Sequence, residues 1–188
     1  MTYEETKMKI VEGGVKLFKN KGLKFTMDEL ANEIRMSKKT IYVMFRDKEA
    51  LLYYMADYFF DDVQKEEEKI LADESLDTVK KFRGILGALP DIYSNYDFTK
   101  VFRFKDKYKR VYDHVSERLE SGWDISFQVL DQGIDEGVFR DIDHTVFKMA
   151  FTSAVERFLT SPELSENHIA YADALNELVD IMVFGVKK

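Results

Sequence analysis

The chain contains no cysteine, which excludes disulfides, iron–sulfur clusters and thiolate zinc sites. Histidine is almost as scarce. His114, His144 and His168 lie too far apart in sequence to form a metal-spaced pair. Only 2 prolines and 9 glycines interrupt 188 residues, which disfavours a turn-rich β fold and favours long helices. No apolar run approaches the roughly 20 residues that a bilayer-spanning helix requires. The opening stretch, MTYEETKMKIVEGG, lacks the apolar segment of a secretory leader. Phosphate-binding glycine loops, metal-ligand clusters and nucleophile motifs are also missing. These absences point away from an enzyme, a membrane protein and a cofactor or metal carrier. They point towards a cytoplasmic, all-α protein.

What is present is unevenly distributed. Residues 1–52 carry 11 Lys/Arg against 8 Asp/Glu, a net charge of +3. Residues 53–188 carry 17 against 27, a net of −10, so the two parts sum to −7. A basic end on an acidic chain suits a polyanionic partner for that end alone. Of 26 aromatic residues, 21 follow position 52, so the second part has bulky rings to bury or to line a cavity with.

Apolar spacing and capping residues divide the chain into roughly nine helices. Ile10, Val11, Gly14, Leu17 and Phe18 share one stripe of a helix over residues 4–21, ended by Gly22. Gly13 and Gly14 inside it weaken the helix or allow a close backbone approach. Thr26 and Glu29 form a capping box that opens a short helix. Ser37 caps a second, over residues 38–45, and Asp47 caps a long one, over residues 48–71. Two short helices about three residues apart are the arrangement of a helix-turn-helix. Further helices are expected over residues 76–88, 97–121 (unbroken or in two pieces), 123–136 and 144–159. A last one starts at Ser161-Pro162 and continues to about residue 184.

On a helical wheel, residues 38–45 place Ile41, Met44 and Phe45 on one side. Lys39 and Val43 point the opposite way, flanked by Thr40 and Tyr42. That face offers a cation, hydroxyls and a small apolar side chain, which can read base edges in a major groove. Lys38 and Lys39 stand at a helix start that already favours phosphate. A solvated, slightly basic helix is the competing reading of the same pattern.

Residues 9–52 resemble the DNA-binding segment of the TetR family of bacterial transcriptional repressors. The resemblance is carried, without a gap, by Leu17-Phe18, Lys21-Gly22, Thr26, Leu30-Ala31, Ser37, Thr40-Ile41-Tyr42, Phe45, Lys48-Glu49 and Leu51. It implies a DNA-binding domain over residues 1–47 and a helical effector-binding and dimerisation domain over residues 48–188. It implies that Thr26 and Tyr42 touch phosphates, that Lys38, Lys39, Thr40 and Val43 face the groove, and that Lys48 contacts the DNA backbone. Arg35 stands where the family's turn usually carries glycine, and its charge can reach a phosphate. The resemblance further implies a homodimer, double-stranded DNA as partner and a small hydrophobic effector, cationic forms included.

Phe59, Phe82, Tyr93, Tyr96, Phe102, Tyr112, Trp123, Phe127 and Phe151 are the candidates to line an effector pocket, or else form plain core. Glu120, Asp124 and Glu156, near these rings, would favour a flat cation. Phe147, Phe151, Phe158, Leu175, Leu178 and Met182 are the candidates for the dimer interface. A ligand-responsive repressor is the reading that joins these features. An activator or constitutive regulator without a ligand, and a helical dimeric adaptor, are the alternatives.

Overall fold

The computed structural model describes residues 1–93, 98 and 106–186. Among them are nine α-helices of seven or more residues, one four-residue helix and no strand. The chain divides into two units, residues 1–60 with 100–116 and residues 61–99 with 117–188.

In the first unit, α1 (Tyr3–Lys21) begins with a capping box between Thr2 and Glu5. A 3₁₀ turn, Gly22–Lys24, follows it, entered through Gly22 at a φ of 56°. Helices α2 (Met27–Glu33) and α3 (Lys38–Met44) are capped by Thr26 and Ser37, as their spacing requires. Asp47 accepts from the Ala50 N–H and opens α4 (Lys48–Ala72). Ile10, Leu30, Ile41 and Leu51 are wholly buried among these helices. Gly13 sits where an added Cβ would lie 2.2 Å from Ile34 Cγ2, so its role is the close approach of α1 to the end of α2. Helix α6 (Lys109–Glu120) adds His114 to this unit. Its ring stacks on Tyr53 at 3.8 Å and its Nε2 lies 2.6 Å from Asp57 Oδ1.

In the second unit, α5 (Thr78–Leu86) packs on α7 (Asp124–Asp135) and on α10 (Tyr171–Val186), which in turn packs on α8 (His144–Thr160). The ring of Phe139 folds back over Gly133 of α7, and Phe82 touches both Phe139 and Phe147 at centroid distances of 5.1 and 5.5 Å. Such ring pairs contribute about 0.5–1.5 kcal/mol each beyond the area they bury. Beyond α7, Arg140 donates from Nε to the Gly185 carbonyl at 2.9 Å.

Three helices end in the same way. The residue after the C-cap has positive φ, and the next N–H bonds back five residues. After α7 the left-handed residue is Gly137 (φ 73°), with Val138 N–H bonded to Gly133 O. After α2 it is Arg35 (φ 53°), with Met36 N–H bonded to Ala31 O at 2.9 Å. After the four-residue helix α9 (Glu163–Glu166) it is His168 (φ 56°), with Ile169 N–H bonded to Leu164 O. This last stop corrects the expectation of one helix from Ser161-Pro162 to residue 184. A histidine in the left-handed slot carries no glycine signal, so the break is silent in the sequence. Of the expected helix over residues 97–121, the described part is helical from Lys109.

A non-glycine residue in that slot costs about 1 kcal/mol. Arg35→Gly should therefore raise the stability of the first unit by about that amount, read in a denaturant titration of the full chain. A fall in midpoint would show that the guanidinium gives more to the fold than its backbone costs.

Candidate nucleic-acid interface

Helix α3 lies with Ile41 and Phe45 inward and its opposite side in solvent. Lys38, Lys39, Tyr42 and Val43 are exposed and Thr40 is half-buried. Val43 is the extreme case, at 70% exposure for an aliphatic side chain. The structure places Lys39, Tyr42 and Val43 outward as the wheel does, but half-buries Thr40.

The charges around this face are not equivalent. Lys38 Nζ lies 2.6 Å from Asp28 Oδ1, which raises its pKa and holds it against α2. Arg46 pairs with Asp47, and Lys16 with Glu33. Lys21 binds Glu29, whose carboxyl is held below its ordinary range by that bond and by the Thr26 backbone N–H. Among the described residues, Lys39 and Arg35 have no ion-pair partner. Both can approach a phosphate or a base without first breaking an ion pair. The Asp28–Lys38 pair joins residues ten apart across the turn, and no local pattern marks it.

Thr26 is exposed, and its hydroxyl accepts from the Glu29 N–H. Thr40 shares its hydroxyl with Ser37 Oγ at 2.8 Å, so both belong to the α3 cap. Lys48 is half-buried. Its ammonium donates to Leu23 O at 2.6 Å and to Phe25 O, and lies 4.1 Å from the centre of the Phe25 ring. Burial and the neighbouring Lys107 hold its pKa down at about 8. In this geometry Lys48 ties the segment before α2 to the start of α4, so its side chain supports the surface from within.

The candidates for an effector pocket fall into three groups. Phe59 and Tyr112 belong to the first unit. Tyr96 and Phe102 lie outside the described residues. The rest belong to the second unit, where Phe82 is fully buried and Tyr93, also buried, donates from its hydroxyl to Asp62 at 3.2 Å. Trp123, Phe127 and Phe151 are half-buried and form one cluster. The Trp123 centroid is 5.5 Å from both other rings, and its indole N–H donates to Leu119 O. His144, absent from the sequence candidates, stacks on Phe127 at 4.3 Å and pairs with Asp131. Glu120 pairs with Lys148, and Asp124 is exposed.

The candidates for a dimer face separate too. Phe147, at 1% exposure, and Leu175 lie in the chain's own core, while Phe151, Phe158, Leu178 and Met182 are half-buried. The apolar residues that point outward are Val146 and Met149 on α8 and Ile181 and Phe184 on α10. Among the described residues no helix is long and apolar enough to cross a membrane. No group of three or more His, Asp or Glu among them could hold a metal ion.

The chain is similar to known proteins in its first part and in its fold. Residues 10–55 match the family model of bacterial regulatory proteins, tetR family. Over 172 residues the chain is 23% identical to YvaF of Bacillus subtilis (strain 168), described as an HTH-type transcriptional regulator, covering 91% of this chain and 90% of that one. A TetR transcription regulator from Haloarcula marismortui has a similar structure, with a TM-score of 0.75 at 17% identity over 98% of this chain and 100% of that one. So has AibR in complex with isovaleryl coenzyme A and operator DNA, with a TM-score of 0.52 at 17% identity over 94% and 97%.

Proposed function

We propose, for a chain whose head is the DNA-binding segment of the TetR family and whose fold is that of TetR-family transcriptional regulators, that it is a cytoplasmic repressor working as a homodimer. Residues 1–47 read the DNA and residues 48–188 dimerise and bind a small effector. The observation that carries this reading is the outward face of α3, where Lys39, Tyr42 and Val43 stand in solvent while the helix's other side anchors the core. Two such helices related by a two-fold axis enter successive major grooves, so the target is a palindrome. Thr26 and Tyr42 touch phosphates, Arg35 reaches one from the turn, and Lys48 holds the segment that carries Thr26. Phosphate contacts supply affinity and salt dependence, and Lys39 and Val43 supply sequence preference.

The dimer forms through α8 and α10, whose outward apolar residues are Val146, Met149, Ile181 and Phe184. The half-buried rings of Trp123, Phe127 and Phe151 give a small hydrophobic effector a surface to stack on. With Glu120 paired to Lys148, aromatic area and the exposed Asp124 supply the attraction, cationic forms included. AibR, similar in fold, was solved with an acyl coenzyme A and operator DNA together, which supports a regulator answering to a small molecule. Occupancy shifts α4, and the two heads no longer reach both half-sites at once.

Trp123 is the only tryptophan in the chain, so its emission reports the cluster alone. Flat hydrophobic compounds should quench it saturably and release a DNA duplex enriched by selection from genomic fragments. Quenching and release must share one concentration dependence, because the two bindings are thermodynamically linked. Compounds that quench Trp123 and leave DNA affinity unchanged would overturn the effector mechanism. Failure of the selection to enrich any sequence would overturn the DNA-binding reading itself.

A further inference from the structure

Val43 poses a problem of its own. It is 70% exposed, and among the strongly exposed hydrophobic residues of the first 60 positions only the terminal Met1 is more so. Three other residues of α3 are engaged: Ile41 is fully buried, Thr40 shares its hydroxyl with Ser37, and Lys38 is held by Asp28 at 2.6 Å. A β-branched side chain in a helix has essentially one χ1 rotamer, so Val43 is a preset apolar knob that loses little entropy on contact. It stands one turn beyond Lys39, on the same face. The single apolar group that a base pair displays in the major groove is the C5 methyl of thymine.

We propose that Val43 reads the 5-methyl group of one thymine in each half-site of the target. This rests on the DNA-binding reading above and adds to it the chemistry that the site selects. A valine cannot donate or accept a hydrogen bond, so discrimination comes from burying methyl against isopropyl and from excluding the more polar cytosine edge.

Deoxyuridine tests the idea, because it pairs like thymidine and lacks only that methyl. The probe is a duplex enriched from a random library by the full chain, with each thymine replaced in turn by deoxyuridine and affinity followed by fluorescence anisotropy. Burying a methyl-sized group is worth about 0.8 kcal/mol, a factor of about four in affinity. One position per half-site should therefore lose about fourfold, and both together about fifteenfold. Val43→Ala should bind the thymine and uracil forms of that position equally, while Lys39→Ala keeps the difference. Val43 is exposed, so its truncation leaves the core intact. Indifference of the wild-type chain to every replacement would overturn the proposal, as would a Val43→Ala chain that keeps the full difference. If the full chain enriches no duplex, the DNA-binding reading fails instead, which is a separate result.

Discussion

Met149→Arg should leave the chain folded and abolish tight binding to a palindromic duplex. Met149 is 61% exposed on α8, beside Val146, and α10 adds Ile181 and Phe184 as outward apolar residues. Exposed apolar side chains grouped on two helices that pack together mark a surface that meets another protein. In a two-fold interface every residue occurs twice, so the substitution places two cations in one apolar contact. An uncompensated buried charge costs several kcal/mol, enough to dissociate a dimer held mainly by apolar area. A monomer holds one half-site and loses the effective concentration that links the second. Affinity for the full site should then fall by a factor on the order of 10²–10⁴. Sedimentation would show the change in mass and circular dichroism an unchanged helix content. A dimer that survives Met149→Arg would place the interface elsewhere.

Gly133→Ala should destabilise the second unit, although alanine is the better helix former by about 1 kcal/mol. The added methyl would lie 2.0 Å from Cδ2 and 2.4 Å from Cε2 of Phe139. Phe139 is a rigid ring, fully buried and in contact with Phe82, so it has nowhere to move. Overpacking of this kind costs typically about 1–3 kcal/mol, which exceeds the gain in propensity. The melting temperature should fall by roughly 2–4 °C for each kcal/mol lost. A higher melting temperature would mean that Phe139 does not sit over α7.

The head was the legible part of this chain. Thr26 with Glu29, and Ser37 before α3, use local hydrogen bonds three residues apart, and such signals survive in one dimension. The outward face of α3 was equally readable, because Ile41 and Phe45 fall opposite Lys39 on the wheel, and the apolar Val43 goes outward with that lysine. The second unit was not. Helix α8 is apolar on more than one side, so spacing could not tell that Phe147 faces the core while Val146 and Met149 face out. The helix stop at His168 was hidden because the left-handed slot holds no glycine. The Lys38–Asp28 and His114–Asp57 pairs join residues distant in sequence, 57 apart for the second, and only the fold brings them together. Lys48 illustrates the remaining difficulty: its position in the family pattern suggests DNA, while its ammonium is seated on Leu23 O and Phe25 O.

The most direct test of the account compares three duplexes in one titration of the full chain: the selected palindrome, the same duplex with one half-site scrambled, and a duplex with both scrambled. Two chains should bind each palindrome. Scrambling one half should lower affinity by a factor on the order of 10² or more, and log affinity should fall linearly with log salt for all three. Equal affinity for the three duplexes, or one chain bound to each, would contradict the account.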